Sequence, residues 1–271
     1  MQKSKVSILG LGWLGFPLAK SLINSGNFVN GSTTSSDKII SLKAEVEDVY
    51  KVVLKETEVL GRIDQMLKNS GILILNTPPG LRRNPENNYV EKIRKLIPCI
   101  EKSSVKNVLF ISSTSVFADA ESFAEITNST VPNSQSVSGT QLQEVEKLLS
   151  KNENFSTTIL RFAGLVDERR HPATMISKRK EIPNPKAPVN LIHREDCIGI
   201  ISKIIAENKW NKTYNAAYPL HPEKERYYTE ICAKMNLQQP DFLQNEISKG
   251  KLINGNETAE DLDYEYKYSL F

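Results

Sequence analysis

The chain has 271 residues, 39% of them hydrophobic and 25% charged, with a formal net charge of +3. That length holds one large α/β domain, or a nucleotide domain with a smaller lobe, and the balance is that of an ordinary globular protein. So small a charge excess excludes a nucleic-acid partner or a membrane surface as the expectation, and KRK at Lys178–Lys180 reads as a solvated face.

In chain order, Val6–Leu9 reads as a strand. The longer apolar run around it, Val6 to Ile23, is expected to be neither a signal peptide nor a membrane span. Gly10, Gly12, Gly15, Pro17 and Lys20 interrupt it, and no small-residue cleavage site follows. Pro17–Ser25 repeats apolar residues at helical spacing and stops at Gly26, and Phe28–Gly31 is a second strand. Ile72–Asn76 and Val105–Ser112 are two more strands, separated by a helix near Tyr89–Lys102. A helix at Ser138–Ser150 precedes the strand Thr157–Phe162. Strand and helix alternating at these spacings predict a doubly wound parallel sheet with helices on both faces, an α/β fold.

After about Phe162 the texture changes. Pro172, Pro183, Pro185 and Pro188 punctuate a loop-rich region, followed by a helix at Asp196–Glu207, a strand at Thr213–Ala216 and a helix at Lys224–Met235. No flexible linker intervenes. The expected division is a nucleotide domain over 1–162 and a small α/β substrate lobe over 163–271, packed on the first and partly interwoven with it. Cys99, Cys197 and Cys232 are far apart and odd in number, so they make neither a metal spacing nor a disulfide framework. A reducing compartment, the cytoplasm, is the expectation.

Residues 8–15 read ILGLGWLG, which places G-x-G-x-x-G between a predicted strand and a predicted helix. Gly10 permits the tight turn, Gly12 lets the backbone approach a pyrophosphate, and Gly15 lets the helix pack on the strand. The helix N-terminus then faces the phosphates. Dinucleotide binding is expected at Gly10, Gly12, Trp13, Leu14 and Gly15. NAD sites carry Asp or Glu at the end of the second strand. Here that end reads GSTTSSDK, and no acid occurs before Asp37. Ser32, Thr33 and Thr34 offer hydroxyls, and Lys38 would approach a 2′-phosphate, so NADP is expected over NAD. The plainer reading is that these hydroxyls cap the turn.

Beyond the glycine loop, NTPPG (Asn76–Gly80) follows the fourth strand and ISSTSVFAD (Ile111–Asp119) the fifth; ILRFAGLVDERRHP (Ile159–Pro172) and VNLIHRED (Val189–Asp196) come later. In order and spacing these stretches resemble the extended or atypical short-chain dehydrogenase/reductase family, on its NAD-dependent epimerase/dehydratase side. The resemblance covers most of the chain. It implies a Rossmann-type NAD(P)-binding domain, a C-terminal substrate lobe, cofactor contacts at Thr77, Pro78 and Pro79, and a substrate-binding hydroxyl at Ser113. Oxidoreductase or epimerase/dehydratase chemistry on a polar carbonyl or alcohol, or a nucleotide-sugar type of small molecule, follows as the expectation. The opening segment also resembles the start of 6-phosphogluconate and 3-hydroxyacid dehydrogenases, which would place a long all-helical domain after the nucleotide half.

Members of the resembled family carry Tyr-x-x-x-Lys at the start of the helix here predicted at Ser138–Ser150. Aligning G-x-x-L-x-E-x-E puts Ser138 at the Tyr place and Leu142 at the Lys place. Three readings stay open. One is an enzyme with another acid/base, with His171 beside Arg169 and Arg170 as the first candidate and Tyr89 and His193 behind it. Another is catalysis by positioning alone. The third is a nucleotide-holding sensor or scaffold. Arg82 and Arg83 read as solvent-exposed or phosphate-facing. Leu142, Val145 and Leu149 form a stripe that suits the core or a homodimer seam. The tail tyrosines Tyr264, Tyr266 and Tyr268 read as structural.

Overall fold

The computed structural model of the chain describes residues 4–81, 84–244 and 247–270, so Arg82 and Arg83 lie outside the described residues. The elements up to Ser113 are β1 (Lys5–Leu9), α1 (Gly15–Asn24), β2 (Phe28–Thr33), α2 (Lys38–Lys43), β3 (Asp48–Leu54), β4 (Val59–Gly61), α3 (Ile63–Leu67), β5 (Ile72–Leu75), α4 (Tyr89–Glu101) and β6 (Asn107–Ser113). There follow β7 (Glu125–Ile126), α5 (Val137–Ser150), β8 (Ser156–Phe162), β9 (Gly164–Val166), α6 (Ala173–Ile176), β10 (Leu191–His193), α7 (Arg194–Ala206), β11 (Thr213–Ala216), α8 (Lys224–Lys234), β12 (Leu252–Ile253) and α9 (Asn256–Asp261).

An eight-stranded sheet runs in the order β11-β8-β6-β5-β1-β2-β3-β4. Its centre is parallel, and β4 closes one edge antiparallel to β3. Because β3 and β4 both precede it, Ile72–Leu75 is the fifth strand in chain order and not the fourth. All four of its residues are buried, on alternating sides of the strand. That is the pattern of a strand covered on both faces by helices, the doubly wound α/β arrangement.

The chain forms two compact units. The first comprises Met1–Ser113, Ser136–Leu160 and Ile201–Thr213, and holds most of the sheet. The second comprises Thr114–Gln135, Arg161–Ile200 and Tyr214–Phe271. It carries two small parallel ribbons, β9 with β10 and β7 with β12, and an apolar cluster around Val166, Ile182, Tyr227 and Phe242. This is a mixed α/β unit, which separates the chain from the all-helical second domain of the 6-phosphogluconate dehydrogenase type. In the first unit Leu142, Val145 and Leu149 are buried core residues. Among the described residues no helix is long and apolar enough to cross a membrane.

Candidate functional site

Strand order decides which motifs of the first unit meet. β6, β5, β1 and β2 are consecutive and parallel, so their carboxyl ends share one edge. At that edge lie Ser113, the NTPPG segment, the glycine loop and Ser32–Thr34. The chain leaves β1 toward β2 and β3 on one side and later builds β5, β6 and β8 on the other. A topological switch point therefore lies between β1 and β5, where open α/β sheets take ligands.

The glycine loop is pinned from both neighbouring strands. Leu11 N donates to Ser32 O at 2.7 Å, Gly10 N donates to Ser32 Oγ at 3.1 Å, and Asn76 Nδ2 donates to Gly10 O at 3.0 Å. Gly10 has φ +113°, and a Cβ there would come within 2.6 Å of Asn76 O. A Cβ at Gly15 would collide with the Gly10 carbonyl. Both glycines are thus required by the fold itself. Gly12 is different: it is exposed, and a Cβ built on it meets nothing within 4 Å. Its missing side chain keeps a cradle open toward solvent. No side chain caps α1 among the described residues and no acid occupies its first turn. A helix N-terminus of that kind favours an anion. Leu14 has its side chain buried, so it would meet a ligand through its backbone, while Trp13 is half-buried beside it.

At the end of β2 the hydroxyls divide. Ser32 is buried and its Oγ holds the Gly10 amide; Thr33 Oγ1 accepts from Ser35 N at 3.3 Å, the turn-capping role. Thr34 and Lys38 are exposed.

The segment after β5 is held from two helices. Tyr89 Oη, on α4, donates to Thr77 O at 2.7 Å. Asn87 Nδ2 donates to Pro79 O at 3.0 Å. On α5, Gln141 Oε1 accepts from Tyr89 N at 2.7 Å and Gln141 Nε2 donates to Asn87 O at 3.1 Å. Burial pushes the Tyr89 phenol far above its usual range, so it stays a fixed donor and not a proton shuttle near neutrality. Neither Gln141 nor Asn76 stands out in the sequence reading; NTPPG was visible as a motif, but not the clamp on it.

Ser113 ends β6 and is half-buried; its neighbour Ser112 donates to the buried Glu146 carboxylate of α5 at 2.6 Å. Ser138 is the second residue of α5, just after Ser136 caps the helix by accepting from Gly139 N at 3.1 Å. One turn on, Leu142 is 4% exposed and belongs to the core.

His171 and His193 lie in the second unit. His171 Nδ1 accepts from Ala173 N at 3.1 Å, which assigns the ring proton of the neutral form to Nε2, 2.9 Å from Tyr227 Oη. Burial lowers its pKa, and both ring nitrogens are engaged. His193 lies 3.2 Å from Glu168 Oε1, accepts from Glu195 N, and stacks on Tyr268 with centroids 4.4 Å apart. Among the described residues no group of three or more His, Cys, Asp or Glu is placed to hold a metal ion.

No protein-family model matches the chain. It is 34% identical over 268 residues to protein YeeZ of Escherichia coli strain K12, covering 97% of this chain and 96% of that protein. Among solved structures it resembles UDP-glucuronic acid 4-epimerase from Bacillus cereus in complex with NAD, with a TM-score of 0.78 at 15% identity over 98% of this chain and 93% of that one. A short-chain dehydrogenase/reductase superfamily protein from Agrobacterium tumefaciens with bound NAD matches at a TM-score of 0.74 and 14% identity, again over 98% of this chain and 93% of the other. The chain therefore belongs to the family of protein YeeZ and has the fold of the short-chain dehydrogenase/reductase and NAD-dependent epimerase/dehydratase proteins.

Proposed function

We propose that the chain binds NAD(P) at Gly10–Gly15 and acts as an oxidoreductase or epimerase/dehydratase-like enzyme on a polar carbonyl or alcohol compound, a nucleotide-sugar among them. The observation that carries the reading is Gly12. Among the described residues none requires a glycine there, since beyond its chain neighbours a Cβ meets nothing within 4 Å, so its smallness suits a group from outside. The structural neighbours that hold NAD add support. When bound, the nicotinamide would supply hydride exchange. The protein's own part is to seat phosphates at the α1 N-terminus, to line the cofactor with Thr77, Pro78 and Pro79, and to hydrogen-bond the substrate oxygen through Ser113. NADP is the preferred form in this reading: no carboxylate precedes Asp37, and exposed Thr34 and Lys38 suit a 2′-phosphate. A cytoplasmic location fits an NAD(P) supply.

One observation favours a second reading, a nucleotide-holding sensor or scaffold without redox chemistry. The first turns of α5, where the resemblance implies a Tyr and a Lys, carry Ser138 and a buried Leu142, and Gln141 there ties down the Thr77–Tyr89 segment. Titration with NADPH and NADH, followed by nicotinamide fluorescence and thermal shift, tests the proposal. Ligand at 100 times Kd stabilises a folded protein by about 2.7 kcal/mol. Saturable binding that Gly12→Asp abolishes is the expected result. Absence of binding to either nucleotide overturns both readings, and binding without turnover on any nucleotide-sugar or carbonyl compound favours the second.

A further inference from the structure

The second unit holds a cavity of about 290 Å³. That is close to the lower end of small-molecule sites, about 300 Å³. Thr114, Asp119, Lys224, Tyr228, Lys249 and Lys251 line it, all within this unit. Local structure explains the meeting. The Ala120–Gly250 bridge and the β7–β12 pairing bring the segment after Ser113 beside Lys249–Lys251. Lys224 and Tyr228 are four residues apart on α8, hence on one helix face.

Tyr228 is 6% exposed and sits in the apolar cluster with Val166, Cys232 and Phe242, its ring edge-on to Tyr227 at 5.0 Å. A Phe would pack there equally well. Yet the hydroxyl makes no hydrogen bond to any described residue, and it is not sealed from solvent, so it opens on the cavity it lines. Native proteins rarely bury a polar group without a partner. Thr114, 7% exposed, has an equally unmet hydroxyl at the same cavity. Lys251 Nζ donates to Phe117 O and to Asp119 Oδ1, both at 2.8 Å. An ammonium has three N–H groups, so one is left over. Lys249 pairs with Glu121 at 3.4 Å. Lys224, whose Nζ donates to Pro183 O at 2.7 Å, brings a third ammonium group to the lining beside Lys249 and Lys251.

We propose that this cavity binds the oxyanion group, carboxylate or phosphate, of a small polar molecule, with Tyr228 Oη, Thr114 Oγ1 and the third N–H of Lys251 as donors. Burial keeps the Tyr228 phenol protonated far past neutrality, so the donor persists across the physiological range. The site goes beyond nucleotide binding, which belongs to the first unit, and does not depend on it.

The test is calorimetric titration of the full-length protein, Tyr228→Phe and Lys249→Met with inorganic phosphate, glucuronate and uncharged glucose, at ionic strength held constant with sodium chloride. One or both anions should bind the wild type saturably and glucose should not; the tighter of the two anions identifies phosphate or carboxylate as the natural group. Tyr228→Phe should keep the wild-type melting temperature without ligand and weaken anion binding roughly ten-fold, the loss of one hydrogen bond to a charged group. Lys249→Met, at a side chain 57% exposed, should fold normally and weaken binding about two- to five-fold. No anion binding above the chloride background overturns the proposal, as does equal affinity in wild type and Tyr228→Phe. Should Tyr228→Phe fail to fold, unchanged affinity in Lys249→Met overturns it as well. NADPH binding measured alongside separates a failure of this site from a failure of the cofactor reading.

Discussion

A methyl group added at Gly12 meets no atom of the described residues within 4 Å beyond its own chain neighbours, whereas one added at Gly15 would collide with the Gly10 carbonyl oxygen. The two glycines belong to one motif and answer to different causes, one to a ligand and one to the fold. Gly12 is not among the positive-φ residues, so alanine can adopt its conformation. Gly12→Ala should therefore leave folding intact and raise stability by about 0.4–1 kcal/mol through the unfolded chain. It should at the same time weaken nucleotide binding. Gly15→Ala should lose about 1–3 kcal/mol or more, because backbone must shift to admit the methyl. Denaturant midpoints of the two variants, read beside NADPH titrations, check both halves. A destabilised Gly12→Ala would show that the loop needs this glycine for itself, and the central argument for a cofactor cradle would fall.

At the scale of elements, the end of the chain depends on one carboxylate. Asp196, fully buried near the start of α7, accepts from Tyr264 Oη at 2.8 Å and Lys267 N at 2.9 Å through Oδ1, and from Tyr268 N at 3.3 Å through Oδ2. Gly199, one turn along α7, is where the Tyr264 ring lies against the helix; a Cβ there would collide with it. Asp196→Ala leaves three donors unmet and should cost about 3–5 kcal/mol, with the tail released to protease. Limited proteolysis followed by mass analysis reads this directly; a tail as resistant as wild type sinks the account. In the sequence the tail tyrosines read as structural and VNLIHRED as a motif, and only the fold links them, through Asp196. Elements with strong periodicity were legible: β1, α1, β5, α4, α5, β8, α7, β11 and α8 fall within a residue or two of their expected bounds. β3 and β4 were not. Asp48–Leu54 reads DVYKVVL, with Asp48, Tyr50 and Lys51 breaking the apolar run. β7, β9, β10 and β12 have two or three residues each and are defined by their pairing partners, which no local pattern encodes. The site divides in the same way. Glycine spacing is written in the chain, whereas Asn76 and Gln141 acquire their roles from residues far along it, 66 positions between Asn76 and Gly10 and 52 between Gln141 and Tyr89.

For the molecule as a whole, ionisation of phenols sets the alkaline limit. Burial is the first cause in each of Tyr89, Tyr227, Tyr228, Tyr264 and Tyr266, and it pushes every one of them far above the ordinary phenol range. In Tyr264 the Asp196 carboxylate adds to it. Unfolded, these groups lose their protons near 10. Between that value and the raised values of the folded state, the folded protein binds more protons than the unfolded chain, so stability falls as pH rises. Below about 9 both states are protonated and the contribution is complete. His171 and His221 act with the opposite sign on the acid side: burial lowers both, so their contribution is whole above about 6.5 and is lost as pH falls through the depressed values. The melting temperature should thus hold a plateau from about pH 7 to 9 and drop steeply above about 10. Phenolate absorbance should lag the ordinary titration for these buried groups and then rise together with the loss of tertiary circular dichroism, since exposing them requires unfolding. Tyr264→Phe, which removes a phenol and keeps the ring on Gly199, should shallow the alkaline slope while costing some stability at pH 7 through the lost bond to Asp196. If all nine tyrosines titrate near the ordinary value with the fold intact, the phenols are reached by solvent and the packing described for both units is wrong.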